Sequence, residues 1–166
     1  MIKHRHAALA LVAAIAASGL AASAPAHAED PIVKLVSSQN GKCLQPVNGS
    51  LLQGDAVVQM TCNGSRAQQW TVTGISSTAV HLVNRNSQLC LDARGGAVNG
   101  TPIQQWTCNS ISNEKWGFGI TNNLLVSFVA GTASHCIATP GFPDGLPMEL
   151  RFCDSNSSQL WSRPAG

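Results

Sequence analysis

Four residues near the middle of the chain, Asp92, Gln104, Trp106 and Asn113, carry side chains suited to one kind of chemistry. An ionised carboxylate accepts hydrogen bonds from two neighbouring hydroxyls, and a primary amide offers both donor and acceptor. Bonds with one charged partner are the stronger kind. An indole face beside them suits a C–H-rich surface and keeps water off it. A pyranose presents this mixture: one apolar face and a rim of hydroxyls. Directly after Asn113 comes a second carboxylate, Glu114.

An internal repeat is what marks these residues as a set. The six cysteines form three spaced pairs: Cys43 with Cys62, Cys90 with Cys108, and Cys136 with Cys153. Trp70, Trp116 and Trp161 each stand eight residues after the second cysteine of a pair, and Gly54, Gly100 and Gly145 eight before it. A period of this length, kept at several positions at once, indicates one supersecondary unit used three times, over about 31–76, 77–122 and 123–164. Positions alike in every copy are explained by the common fold, so the three tryptophans are read as core. Positions that differ are not required by it. Two residues after the first cysteine stand Gln45, Asp92 and Ala138; four before the second, Val58, Gln104 and Glu149. Two before the second stand Met60, Trp106 and Arg151; five after it, Ala67, Asn113 and Ser158. Singly, Trp106 filling a gap and Asp92 capping a turn are adequate explanations. Together, and only in the middle copy, the four favour a single site.

The frame that must position them is all-β. Short apolar bursts broken by Gly, Asn, Ser and Thr suit brief strands and turns, with no sustained helical period. A propeller takes roughly four or more blades, and capping repeats of a solenoid are missing, so three equal units should close around a threefold axis. Residues 1–28 have the layout of a secretory signal peptide: a basic start, an apolar run from Ala7 to Leu20, and a small-residue cleavage signal ending at Ala28. The apolar run is shorter than the roughly 20 residues of a membrane span. Residues 29–166 are thus expected as one exported domain. Export makes disulfides the default for paired cysteines. Each bridge within a repeat closes a loop worth about 3 kcal/mol in the chain-entropy model. Two histidines after the leader, His81 and His135, with no C-x-x-C, argue against zinc, and no other cofactor is implied. The formal charge of +2 comes from Lys3 and Arg5 in the leader, so no basic stripe remains for nucleic acid.

The stretches CLQ…QMTC…AQQW, CLDARGGAVNGTPIQQWTC…NEKW and CIA…LRFC…SQLW resemble the ricin B-type lectins with Gln-x-Trp repeats. The resemblance implies an all-β, pseudo-threefold β-trefoil: a six-stranded barrel capped by three hairpins. It also assigns sugar-binding roles to Asp92, Gln104, Trp106 and Asn113, with Glu114 where the family places a Gln that holds the Asp. A carboxylate there needs a proton or a cation, and Lys115 and Arg94 are the nearest cations in sequence. The implied partner is a glycan or polysaccharide of galactose or xylose type. An enzyme is not expected: there is no nucleophile elbow, metalloprotease motif or phosphate loop, and Asp92 with Glu114 is the sole carboxylate pair a glycosidase would have. The alternative is a protein-binding trefoil, an inhibitor or a targeting subunit of a secreted complex, with a vestigial sugar site. The loop TPGFPDGLP, residues 139–147, reads either as a contact insertion or as a rigid turn. His81 and His135 are assigned no role, and His135 is expected at an exposed position.

Overall fold

A computed structural model describes residues 30–119, 125–127 and 134–166. The expected signal peptide lies outside these residues. The apolar bursts form brief strands. In the first repeat these are β1 (Ile32–Val33), β2 (Val36–Ser37), β3 (Cys43–Pro46), β4 (Val57–Met60) and β5 (Trp70–Gly74). In the second they are β6 (Val80–Asn84), β7 (Cys90–Ala93), β8 (Ile103–Trp106) and β9 (Trp116–Phe118). In the third they are β10 (Leu125–Ser127), β11 (His135–Ala138), β12 (Glu149–Phe152) and β13 (Trp161–Ser162). A 3-10 turn precedes the repeated tryptophan in each repeat, at Arg66–Gln68, Ser112–Glu114 and Ser157–Gln159.

The barrel strands pair in the order β1-β5-β6-β9-β10, and β13 returns to β2, so the last strand meets the first repeat. Strand pairs β3–β4, β7–β8 and β11–β12 are antiparallel hairpins in the same register. Each sets the first cysteine opposite a variable position: Cys43 faces Met60, Cys90 faces Trp106, and Cys136 faces Arg151. This is the expected β-trefoil.

The three repeated tryptophans are fully buried, together with Leu35, Leu82, Leu91 and Leu150. A buried indole N–H needs an acceptor. Nε1 of Trp70, Trp116 and Trp161 donates to the carbonyls of Leu44, Leu91 and Ile137, at 3.1, 2.8 and 3.0 Å. Each acceptor is the apolar residue following a first cysteine, which explains why that dipeptide recurs. All three expected disulfides are formed, with Cα atoms 5.1 Å apart in each.

The repeated glycines interlock the repeats. Gly54, Gly100 and Gly145 have φ of +85°, +86° and +81°, a left-handed conformation that a side chain strains. Their N–H groups donate to the carbonyls of Gln105, Leu150 and Gln59, each in another repeat. Each hairpin loop thereby lies against a neighbouring repeat. The first repeat's loop, residues 50–54, lies beside Trp106: a Cβ on Gly54 would meet its Cζ3 at 3.4 Å.

Candidate functional site

Side chains directly opposite each other in an antiparallel hairpin, and those two residues along, share one face. Asp92 is opposite Gln104, and Trp106 lies two residues beyond Gln104 on β8. Asp92, Gln104 and Trp106 therefore occupy one side of the β7–β8 ribbon, while Leu91 and Ile103 turn into the core. The turn Ser112–Glu114, with Asn113 and Glu114, packs against β7. All five expected residues thus come together at one hairpin.

Burial grades across them. Asp92 is 2% exposed and Gln104 7%, forming a floor, whereas Trp106 and Asn113 are partly exposed. Gln104 Nε2 donates to Asp92 Oδ1 at 2.7 Å. Burial pushes the Asp92 carboxyl above its usual range; the Gln104 bond opposes this, and the charge of Glu114 adds to it. Unlike the three core indoles, Trp106 makes no hydrogen bond through its N–H among the described residues. Neither does the Asn113 amide. These groups are not used by the fold.

Glu114 is fully buried. Its Oε2 accepts from the backbone N–H of Asn109 at 2.8 Å and Ser110 at 3.1 Å. Its Oε1 has no hydrogen-bond partner among the described residues. The expectation that Lys115 or Arg94 compensates is not met: neither forms an ion pair with it. The nearest basic group is His81, with Nε2 4.0 Å from Oε2. Sequence reasoning assigned His81 no role because it comes from β6, outside the repeated motif. In the sequence His81 stands nine residues before Cys90, where the other copies have Lys34 and Ser127. His135, expected to be exposed, is half-buried, with its ring edge-on to Phe152.

The matching positions elsewhere are differently engaged. In the first repeat, Gln45 accepts from Gln68 Nε2 at 2.9 Å, and Val58 and Met60 stand where Gln104 and Trp106 would. In the third, Arg151 is tied to Glu149 by Nη2 at 2.5 Å and Nε at 2.7 Å. The loop 139–147 resolves as a staple to the first repeat. Gln59 Nε2 donates to the carbonyls of Gly141 and Pro143, and Asp144 accepts from the N–H and hydroxyl of Thr61. Among the described residues no cluster of three or more His, Cys, Asp or Glu forms a metal site, and no helix is long and apolar enough to cross a membrane.

Comparison with known proteins agrees with the β-trefoil fold. A family model described as ricin-type beta-trefoil lectin domain-like matches residues 21–106. No curated protein matches the chain. The designed 3-fold symmetric protein ThreeFoil is 21% identical, with a TM-score of 0.74 over 80% of this chain and 96% of that one. The exo-beta-1,3-galactanase 1,3Gal43A from Clostridium thermocellum is 25% identical with a TM-score of 0.74, and the match covers 82% of this chain. The chain spans only 30% of that galactanase. The ricin B-like lectin of Macrolepiota procera, in complex with lactose, is 16% identical with a TM-score of 0.70 over 84% of this chain and 99% of that one.

Proposed function

The chain belongs to the ricin-type beta-trefoil lectin domain-like family, and from that premise we propose that it is a secreted carbohydrate-binding protein with one working sugar pocket, in its second repeat. The observation carrying this reading is the shared face of Asp92, Gln104 and Trp106, flanked by Asn113 and holding polar groups the fold leaves unspent. The sugar's apolar face lies on the Trp106 indole. Its hydroxyls meet the Asp92 carboxylate, which Gln104 orients, and the free amide of Asn113. Glu114 belongs to the same site, its charge acting on Asp92 from the turn packed against β7. Galactose-type sugars come first among ligands, because similar structures are named for a galactanase and for a complex with lactose; xylose-type sugars come second.

The affinity is modest. Covering roughly 80 Å² of indole and sugar contributes about 2 kcal/mol. Two or three net hydrogen bonds add about 1 kcal/mol each. After association costs, Kd falls at about the millimolar level. Such a domain attaches weakly and reversibly to a glycan surface. Export through the leader at 1–28 agrees with the three disulfides, which need an oxidising compartment. No catalytic step is proposed. A glycan array probed with the parent and with Trp106→Ala tests the reading: binding should be lost in the variant, and equal binding by both would sink the single-pocket assignment.

A further inference from the structure

The buried side-chain atoms without a hydrogen-bond partner among the described residues are His81 Nε2, Gln104 Oε1 and Glu114 Oε1. All three belong to the second repeat. The other two repeats serve as controls, because each has Gln where this one has Glu. Gln68 Oε1 accepts from the N–H groups of Asn63 and Gly64, while its Nε2 donates to the Thr61 carbonyl at 3.0 Å and to Gln45. Gln159 likewise accepts from the Asp154 N–H and donates to the Phe152 carbonyl at 2.8 Å. Glu114 Oε2 takes the accepting half of this arrangement, with Asn109 and Ser110 as donors. Its Oε1 takes the place of the donating NH₂. The groups matching that NH₂'s acceptors are the Thr107 carbonyl and the Asp92 carboxylate. With both acids ionised, the buried Glu114 Oε1 meets no donor among the described residues.

We propose that Asp92 and Glu114 hold one proton between them, donated from Glu114 Oε1, and that this proton makes Glu114 the positioning residue for the sugar-binding carboxylate. The inference rests on the sugar-pocket reading only for its functional consequence; the shared proton is argued from the orphaned Glu114 Oε1 and from the Gln68–Gln45 bond at the matching positions of the first repeat. Two carboxyls sharing a buried site do not both ionise readily, and their titration belongs to the pair. The upward push on Asp92 from burial and from the Glu114 charge agrees with this. Among the described residues the other titratable group near the pair is His81, from β6, with Nε2 4.0 Å from Oε2. While the proton is present, Asp92 is a carboxylate held in place by Gln104 and Glu114. Once alkali removes it, two like charges face each other and the Asp92 geometry is lost. In acid the pair takes up a second proton and Asp92 loses the charge that grips hydroxyls. Sugar affinity therefore passes through a maximum. On its alkaline side it falls by up to about tenfold per pH unit, the limit for one linked proton.

The test has two arms on the full exported chain. Isotope-edited NMR follows the Asp92 and Glu114 carboxyl carbons and the His81 ring across pH. The two carboxyls should respond to one common ionisation. In Glu114→Gln, which supplies the NH₂ that both other repeats use, Asp92 should titrate alone and at lower pH. Separate, ordinary titration of the two acids overturns the proposal, as does a proton residing on His81 beside two ionised carboxyls. In the second arm lactose is the probe. The parent should lose affinity toward alkaline pH, and Glu114→Gln should not. An alkaline loss that persists in Glu114→Gln also overturns the proposal. If lactose binds at no pH while the carboxyls titrate together, the shared proton stands and the sugar reading fails.

Discussion

The second and third repeats place their variable side chains on the same backbone. In both hairpins the first cysteine faces the position of Trp106 or Arg151, and the residue two further on faces Gln104 or Glu149. Yet Arg151 and Glu149 satisfy each other as an ion pair opposite the inert Ala138, whereas the Trp106 N–H and the Asn113 amide have no partner among the described residues. The charges at these two positions of the third repeat are thus spent on each other. The difference teaches that the trefoil supplies a register three times over, and that a site exists only where side chains are left without internal partners.

The largest test of that contrast sets two tryptophans against each other. Trp116 is fully buried and bonded to the Leu91 carbonyl. Trp116→Ala should cost about 3–5 kcal/mol, enough to unfold a domain of ordinary stability, as read by thermal denaturation. Trp106→Ala should leave Tm within a few degrees and abolish glycan binding. A Trp106→Ala protein that melts like Trp116→Ala would move Trp106 into the core class.

How far this contrast was legible beforehand depends on where each residue stands. The cysteine, glycine and tryptophan intervals exposed the three units, because positions used identically must recur. Asp92, Gln104 and Trp106 were legible by the converse argument, since only one copy has them. Why the glycines recur was not legible. Their N–H groups serve Gln59, Gln105 and Leu150 in neighbouring repeats, a contact that no single copy contains. His81 was missed for a similar reason: it reaches Glu114 from a barrel strand with no motif around it. Nor could sequence distance tell that Lys115 and Arg94, though closer along the chain, leave Glu114 to His81.

If register is all the third repeat contributes, its site should be restorable. Ala138→Asp, Glu149→Gln, Arg151→Trp and Ser158→Asn together copy the second repeat's four side chains. The sacrificed ion pair is partly exposed and worth about 0–1 kcal/mol, so the protein should still fold. Calorimetric or dialysis stoichiometry should rise from one lactose per chain to two. A value fixed at one would mean that loops outside the four positions decide binding.

A smaller effect separates binding from stability within the second repeat. Asp92 is raised above the usual carboxylate range, first by burial and then by Glu114. The folded protein therefore holds that proton more tightly than the unfolded chain. Stability then falls as pH rises from the ordinary range through the raised one. Asp92→Asn keeps an acceptor for Gln104 but carries no charge, so it should melt higher than the parent at neutral pH while failing to bind sugar. A lower Tm for Asp92→Asn at neutral pH would contradict the burial argument.

The smallest effect lies where the third repeat's loop meets the first repeat, at a carboxylate that serves structure and is shifted the opposite way. Asp144 accepts from Lys42 Nζ at 2.5 Å and from the hydroxyl and N–H of Thr61, both at 2.9 Å. The Lys42 bond, and then Thr61, hold its carboxyl below the usual range. Here the unfolded chain binds the proton more tightly, so the contribution is present above the ordinary carboxylate range and is lost as pH falls through the lowered value. Because the pair is solvent-exposed and screened by salt, the gain is slight. Asp144→Asn should lower Tm a little at neutral pH and not at all in strong acid, where parent and variant converge. Opposite pH slopes for the Asp92 and Asp144 variants distinguish a carboxylate buried for a ligand from one spent on holding a loop; parallel slopes would erase the distinction.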